Sequence, residues 1–508
     1  MRVFSLLFLL LNSILSVAQN PVGIFSFSKD IGNPSGEGSA IYNQEDQSYT
    51  LSGAGYNIWF EKDEFHYLYN KIEGDFIITA NFEFDGEGTD SHRKVGLMIR
   101  KSEDEDAAHA SASLHGDGLT LLQWRESRGS EMRNPETQIF SPKSGYEILQ
   151  LERKGNEIIM RAAHWGEPLQ KIGSKNLPNL SGEVLVGLFI NSHNEEVVET
   201  ARAWNVRIDR PVADDYNPGE EGWLGCRLEI LNVQNGMRNV IYEKNDRFEA
   251  PNWMPGGENL LFNMEGSLYT IPLTGGEPVK FDTGFADNLN NDHGISFDGK
   301  MIAISHHRDG LQGGGSTIYV LPIEGGTPQL VTEETPSYWH GWAPNNEEVV
   351  YVATREGNPT YDIYKKSIHG GEEIALTDTG EGEHVDGCEY SPDGEYIYYN
   401  GSASGTMQIW RMKPDGSNKE QLTFDARNDW FPHISPDGKW IAYISFPAEI
   451  PVNDHPSFKG VTLNLMPTSG GAPKVIAYLY GGQGTINVPS WSPDSRYIVF
   501  VSNSGIAD

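Results

Sequence analysis

The sequence predicts an all-β protein built from two units. Its 508 residues exceed the roughly 250 to 300 at which a single hydrophobic core stops growing. The 56 glycines, 28 prolines and 11% aromatic residues favour strands joined by tight turns. Short runs of alternating apolar and polar residues recur from residue 21 onward, and helical periodicity is weak.

The first residues predict a signal peptide. They contain one basic residue, an apolar run interrupted by Asn12 and Ser13, and the small-x-small pattern Ser16-Val17-Ala18. We expect residues 1–18 to be removed by cleavage after Ala18 and the protein to be exported, to the periplasm or the medium. No later stretch is apolar enough to span a bilayer, so no membrane span is expected.

Charge and cysteine content narrow the class of protein. A formal net charge of −33 excludes a broad basic surface for nucleic acid or anionic lipid. Only Cys226 and Cys388 are present, so a disulfide scaffold is excluded. The two cysteines could pair with each other, but two buried thiols are the favoured interpretation.

Residues 21–210 form the first predicted unit. Alternating strands such as "GDFIITANFEF", "KVGLMIRK" and "GEVLVGLFINSH" follow one another without a helical pattern between them. This pattern predicts a β-sandwich. Residues 211–225, "PVADDYNPGEEGWLG", have the composition of a linker.

Residues 226–508 contain a repeat. Six segments carry a polar run, a turn and an apolar strand, and the spacing of about 42 to 57 residues is typical of four-stranded propeller blades: "RFEAPNWMPGGENLLFN", "NNDHGISFDGKMIAIS", "SYWHGWAPNNEEVVYVA", "EHVDGCEYSPDGEYIYYN", "NDWFPHISPDGKWIAYIS" and "NVPSWSPDSRYIVFVS". Five repeats continue into an outer strand and a Gly-Gly or Asp-Gly turn. The last repeat lacks this outer half. The segment "CRLEILNVQNGMRNVIYE" at 226–243 has two outer strands and a turn without a preceding inner pair. We therefore expect residues 226–243 to pair with residues 486–503 and close a six-bladed ring.

The residues around each turn have predicted structural roles. Asp393 and Gly394 make the turn in the fourth repeat, because the pair supplies the backbone conformation of a tight hairpin. The aromatic residue before each turn is expected to pack between blades: Trp253, Trp342, Tyr390 and Trp491.

Both units resemble known families. The "SPDG" and "GG" turns and the split last blade resemble the TolB-type six-bladed β-propeller over residues 226–508. In the first unit, "YNIWFEKDEFHYLYNKIEGDF", "GLMIR" and "GLFINSH" resemble concanavalin A-like, laminin-G-like jelly rolls that accompany secreted carbohydrate-active proteins. The resemblances imply the two folds and leave function open, because TolB-like propellers occur in Tol-Pal partners, peptidase caps and oligogalacturonate lyases.

Candidate functional residues lie in the polar runs, which should line the central channel. His293 and His340 share one position relative to the turn in adjacent blades, and they are the candidate metal ligands for a divalent ion. His384 and His433 join them as candidate catalytic residues. The ligand-binding candidates at nearby levels are Arg247, Glu249, Asp292, Trp339, Asp386, Asp429 and Asn487.

Two rim insertions add further candidates. Residues 446–466 lengthen one blade and contribute His455, and residues 479–489 contribute Gln483. Long Pro- and Gly-rich loops at a rim are often binding loops. Plain loop architecture is an equally good interpretation.

Three functions remain open at this point. The leading hypothesis is an exported carbohydrate- or envelope-binding protein, with the sandwich as glycan-binding module and the channel as a second site for a polysaccharide or oligosaccharide. The alternatives are a metal-assisted polysaccharide lyase or glycoside hydrolase, and a Tol-Pal-like scaffold that binds an envelope protein. A peptidase is excluded because no Gly-x-Ser-x-Gly elbow or α/β-hydrolase pattern is present.

Overall fold

The computed structural model describes residues 21–213 and 215–505 and shows an all-β protein. The predicted leader, residues 1–18, lies outside the described residues. One short α-helix, α1 (Pro218–Glu221), and two 3₁₀ helices (Pro178–Leu180 and Gln312–Gly315) interrupt the strands. None of the helices in the described chain has the length and apolar character needed to cross a membrane.

The N-terminal unit contains sixteen strands. They are β1 (Phe27–Ile31), β2 (Ser39–Asn43), β3 (Ser48–Gly55), β4 (Ile58–Trp59), β5 (Lys62–Asp63), β6 (Phe65–Ile72), β7 (Phe76–Phe84), β8 (Lys94–Arg100), β9 (His109–His115), β10 (Thr120–Arg125), β11 (Gln138–Phe140), β12 (Ile148–Lys154), β13 (Glu157–Ala163), β14 (Gln170–Asn176), β15 (Val184–Asn191) and β16 (Asn194–Asp209).

These strands form two large antiparallel sheets. One sheet has the order β1-β6-β15-β8-β9-β10-β11 and the other has the order β14-β13-β12-β7-β16-β3-β2, while β4 and β5 form a separate hairpin. Alternate residues of both sheets, including Leu97 and Leu188 from the first and Ile78 and Leu151 from the second, share one hydrophobic cluster. Two sheets that bury their apolar faces in one core explain the period-two pattern of this region.

The remaining strands form the propeller. They are β17 (Cys226–Asn232), β18 (Arg238–Lys244), β19 (Phe248–Trp253), β20 (Asn259–Met264), β21 (Ser267–Pro272), β22 (Val279–Lys280), β23 (Leu289–Ile295), β24 (Met301–His307), β25 (Ser316–Pro322), β26 (Gln329–Leu330), β27 (Ser337–Trp342), β28 (Glu348–Arg355), β29 (Asn358–Ser367), β30 (Ile374–Ala375), β31 (Val385–Tyr390), β32 (Ile397–Gly401), β33 (Gln408–Met412), β34 (Glu420–Gln421), β35 (Asn428–Ile434), β36 (Trp440–Phe446), β37 (Lys459–Pro467), β38 (Lys474–Gly481) and β39 (Tyr497–Asn503).

Six blades follow one another around the ring, as predicted. Blades 1 to 5 are the four-stranded sheets β19–β22, β23–β26, β27–β30, β31–β34 and β35–β38. Blade 6 combines β39 with β17 and β18 in the order β18-β17-β39, and a bridge between Trp491 and Ile498 adds its inner edge. The predicted closure by strands from the two ends of the repeat region is confirmed.

The turn chemistry of the repeats is also confirmed. In blade 4 the Ser391 hydroxyl donates to Asp393 Oδ1 at 2.6 Å, and the Gly394 amide donates to the Ser391 carbonyl at 2.9 Å. Gly394 adopts a φ of 72°, which a side chain would disfavour. The outer turn has a second constraint in blade 2, because a Cβ on Gly325 would lie 2.6 Å from the Asp282 carbonyl.

Tryptophans hold neighbouring blades together. Trp342 of blade 3 donates from Nε1 to the Gly294 carbonyl of blade 2 at 3.0 Å, and Trp491 of blade 6 donates to the His433 carbonyl of blade 5 at 2.9 Å. The predicted packing role of these two residues is confirmed. Cys226 and Cys388 are buried free thiols, as expected.

Each inner strand of blades 1 to 5 contains a register irregularity. The pairing shifts between Glu249 and Asn252, Leu289 and His293, Trp339 and Gly341, Asp386 and Glu389, and Trp430 and His433. Ala250, Gly387 and Phe431 adopt left-handed φ values of 54°, 58° and 53° at these positions. A bulge re-aims the side chains around it, so equal spacing from the turn does not give equal orientation in the channel.

Glu229 connects the N-terminal unit to the closing blade. Its carboxylate on β17 is 2.8 Å from Arg207 of β16 and 2.8 Å from Arg238 of β18, and it accepts a hydrogen bond from Ser502 of β39 at 2.6 Å. Burial alone would raise the pKa of Glu229, but the two guanidinium groups hold it well below its usual range. The side chain is 0% exposed. One buried carboxylate therefore joins the first unit, the first propeller strands and the last strand.

Candidate functional site

A polar cavity of about 630 Å³ opens at one end of the central channel. It lies where the inner strands begin, at the end away from the Ser-Pro-Asp-Gly turns. The polar and aromatic side chains of its lining come from blades 1 to 5, from the blade 5 insertion and from the segment that leads into blade 6: Arg247, Glu249, Asn263, Glu265, Asn288, Asn290, Asn291, Asp292, His307, Tyr338, His340, Tyr361, His384, Asp386, Phe431, Asn453, His455, Gln483 and Asn487.

Asp386 lies among three imidazoles in this cavity. His340 Nε2 is 2.7 Å from Asp386 Oδ1, while His384 Nε2 and His455 Nε2 are 3.8 and 4.0 Å from Oδ2. The three histidines come from blade 3, the start of blade 4 and the blade 5 insertion. The inner strands and the insertion therefore converge on one carboxylate.

Asp386 and His340 favour each other's charged forms. Burial alone would raise the pKa of Asp386, but His340 and His384 hold it well below its usual value. Burial likewise opposes protonation of His340, and the Asp386 carboxylate nevertheless raises the pKa of that imidazole. The attraction between the two groups thus outweighs the effect of burial on both pKa values.

A second carboxyl group behaves in the opposite way. Burial raises the pKa of Asp292 to about 7, and repulsion from Asp386 and Glu249 contributes to the shift. Burial also raises the pKa of Glu249, which is 2.9 Å from Arg247. The cavity therefore holds Asp386, whose pKa is lowered, and Asp292, whose pKa is raised. Carboxyl groups whose pKa values diverge in this way are typical of binding and catalytic sites.

Aromatic and amide groups surround the charges. The rings of Tyr338 and Tyr361 lie 6.1 Å apart, and Tyr361 meets His384 edge-on at 5.6 Å. Asn290 donates to Asp292 at 2.7 Å. In the described part of the chain Asn291 Nδ2 has no hydrogen-bond partner, although Asn291 is only 7% exposed.

The insertions predicted as rim loops contribute directly to the cavity. His455 packs against Trp430 with ring centroids 4.4 Å apart, and Asn453 donates to the Gly382 carbonyl at 3.1 Å. Gln483 accepts a hydrogen bond from Asn487 at 3.0 Å. The contacts of His455 and Asn453 hold the blade 5 insertion at the wall of the cavity.

Besides the rim candidates His455 and Gln483, the structure brings seven candidates from the polar runs into the lining: Arg247, Glu249, Asp292, His340, His384, Asp386 and Asn487. Four others lie elsewhere. His293 is buried with Nδ1 2.9 Å from the Asn291 carbonyl, and Asp429 accepts from Ser445 at 2.5 Å. His433 is held by Glu389 at 2.7 Å and by the Ile486 carbonyl, and Trp339 lines a different cavity.

Residues that sequence reasoning missed supply much of the site's polar surface. Tyr338 precedes Trp339 in the same polar run, so alternation along β27 was a usable signal for it. Asn290 and Asn291 lie in the irregular part of β23. Tyr361 comes from β29, two strands out from the channel, and Asn453 from an insertion, so no repeat pattern indicated either.

A second cavity of about 520 Å³ lies at the opposite end of the channel, among the inner turns. Its lining is aromatic and proline-rich, with Trp253, Phe297, Trp339 and Trp342 among the walls. In the described residues, four buried polar atoms of this lining lack a hydrogen-bond partner: Asn252 Oδ1, Trp253 Nε1, Trp339 Nε1 and Tyr390 Oη.

The candidate metal ligands His293 and His340 are not presented together. Only His340 reaches the polar cavity, where its Nε2 is committed to Asp386. Across residues 21–213 and 215–505, no group of three or more His, Cys, Asp or Glu side chains is arranged to hold a metal ion. The described residues therefore do not fit a divalent metal centre.

Comparison with known proteins gives the family. A family model described as the TolB beta propeller domain matches residues 340–502. An uncharacterized protein of Agrobacterium fabrum is 46% identical over 284 residues, which are 56% of this chain and 94% of that protein. This chain belongs to the TolB-like propeller family.

Other TolB-like relatives agree on the propeller. A solved structure from Agrobacterium tumefaciens, assigned provisionally as TolB, is 46% identical, superposes with a TM-score of 0.51 and covers 55% of this chain and 98% of its own. The Tol-Pal system protein TolB of Francisella tularensis is 23% identical over 261 residues, half of this chain and 56% of its own length. The match spans only about half of that TolB.

Proposed function

We propose that this TolB-like propeller is an exported, envelope-associated protein that binds an oligosaccharide in the polar cavity. The single observation that carries the proposal is the unpartnered amide Asn291 Nδ2, on a residue that lines the same cavity as the tyrosine pair Tyr338 and Tyr361. Sugars are recognised by aromatic faces together with converging polar groups. The leader pattern supports export, and the concanavalin A-like resemblance supports the N-terminal unit as a second glycan-binding module.

Asn291→Ala tests the proposal. The substitution removes a buried donor that has no partner in the described chain, so the fold should tolerate it. We expect saccharide binding, measured by glycan array and then by calorimetry, to weaken about tenfold, because one ligand hydrogen bond is lost. Phe297→Ala is the matched control, since Phe297 is 47% exposed and lines only the opposite cavity. Unchanged affinity in Asn291→Ala would place the glycan elsewhere.

A protein-interaction scaffold is the second candidate. The similarity to the Tol-Pal system protein TolB supports it, as do the apolar walls and four unpartnered polar atoms of the second cavity. Aromatic and proline-lined clefts with free donors suit extended peptide segments. In that case Phe297→Ala would lose the interaction, whereas Asn291→Ala would retain it.

A further inference from the structure

Carboxyl groups outnumber Arg and Lys side chains in the described lining of the polar cavity. Four carboxyl side chains line it: Glu249, Glu265, Asp292 and Asp386. Among its described lining residues Arg247 is the only Arg or Lys, and it is already paired with Glu249 at 2.9 Å. His340 is likewise committed to Asp386 at 2.7 Å. Glu265 and Asp292 are therefore left without an Arg or Lys partner in the described lining.

This charge distribution selects among glycans. A uronate carboxylate entering the cavity would face Asp292 and Glu265 without an unpaired Arg or Lys in the described lining to receive it. A protonated amine would instead be attracted by the same groups, at an effective dielectric well below that of water. The cavity should therefore discriminate against acidic sugars and in favour of basic ones.

We propose that the ligand is an oligosaccharide with free amino groups, whose ammonium binds Asp292 while Asn291 donates to an adjacent sugar oxygen. This inference rests on the proposed oligosaccharide function. Asp292 and Asn291 are neighbours on β23, and they are 6% and 7% exposed. Asn290 orients the carboxyl group by donating to Asp292 Oδ2 at 2.7 Å. The unpartnered Asn291 Nδ2 supplies the second contact.

Proton release should accompany this binding. The charged groups facing Asp292 are His340 from β27, Asp386 from β31 and Glu249 from β19, and Tyr338 and Cys388 complete the titratable surroundings. Burial raises the pKa of Asp292 to about 7. An ammonium group beside the carboxylate favours its ionised form, so at about pH 6 Asp292 gives up a proton as the ligand binds.

The test is calorimetry with three oligosaccharides of equal length. They are an oligomer of glucosamine with free amino groups, the N-acetylated form of the same oligomer, and an oligomer of galacturonate. We expect the deacetylated oligomer to bind at least about tenfold tighter than either of the others. Titrations at about pH 6 in two buffers of different ionisation enthalpy should show release of up to about one proton. In Asp292→Asn both the preference and the proton release should disappear.

Glu324→Gln is the matched control. Glu324 is an exposed carboxylate in the same blade and away from the cavity, so its loss should change neither quantity. Equal or tighter binding of the N-acetylated or acidic oligomer would overturn the ammonium assignment and leave saccharide binding standing. A lysine-rich peptide that outcompetes the deacetylated oligomer would overturn the glycan class. Failure of all three oligosaccharides to bind would overturn both this inference and the proposed function.

Discussion

At the scale of single residues, the cavity concentrates groups whose burial is unfavourable for folding. Asp292 is the clearest case, since its pKa rises from the ordinary 3.8 to about 7, mainly through burial. A carboxyl group whose pKa is raised in the folded state destabilises the fold once the pH exceeds its pKa in the unfolded chain, because the unfolded chain then ionises more readily than the folded one. Buried carboxyl groups that lower the stability of the fold can be retained where they contribute to ligand binding.

The corresponding prediction concerns stability against pH. Asp292→Asn should stabilise the fold by about 1 to 4 kcal/mol at about pH 8 and by much less at about pH 4, where the folded wild-type carboxyl group is neutral and the unfolded one is only about half ionised. Chemical denaturation of both proteins at the two pH values measures the difference. A constant difference across the range would show that Asp292 ionises normally.

At the scale of elements, the inner strands combine blade packing with presentation of the site. Gly294 on β23 shows how tightly they pack, because a Cβ there would lie 2.1 Å from Trp339 Cη2. Trp339 is fully buried, and the next residue on β27, His340, lines the polar cavity. Contacts of this kind set the orientation of β27.

Gly294→Ala should therefore be destabilising. The added methyl group forces a buried indole to move, and overpacking of this kind costs about 1 to 3 kcal/mol. Gly460→Ala provides the comparison, since a Cβ at Gly460 meets nothing within 4 Å. Thermal unfolding should show a lower midpoint for Gly294→Ala alone. Equal midpoints for the two variants would mean that the indole moves aside freely.

The repeats predict elements better than they predict side-chain direction. Turn residues such as Asp393 and Gly394 have local chemistry, so their roles followed from sequence, as did ring closure by β17 and β39. His293 and His340 have equal spacing from their turns, yet only His340 lines the cavity. The shifts in β23 and β27 fall at different points, and a bulge is not visible in a hydrophobic pattern. Tyr361 and Asn453 lie outside the inner strands, where no register argument applies.

At the scale of the whole molecule, Glu229 ties three parts of the chain together. Its partners belong to β16, β18 and β39, which are the end of the N-terminal unit and the two sides of the closing blade. A buried carboxylate with two guanidinium partners is costly to disrupt, because the remaining charges lose their compensation.

Glu229→Gln should destabilise the protein by about 3 to 5 kcal/mol, because Arg207 and Arg238 then lie buried without a counter-charge. Glu243→Gln on the neighbouring strand is the control, since Glu243 is exposed and 3.5 Å from Arg227. Urea unfolding followed by tryptophan fluorescence measures both. Similar midpoints for the two variants would contradict the assigned role of the Glu229 contacts.

Closure of the ring also orders events during synthesis. Ser502 and Glu229, which meet in the closing blade, are 273 positions apart in the chain. The first propeller strands therefore leave the ribosome long before the strand that completes their sheet, and loop closure over such a distance is slow. Until β39 is made, β17 presents an unpaired edge. The ring therefore cannot close, and the edge of β17 cannot be covered, until β39 has been synthesised.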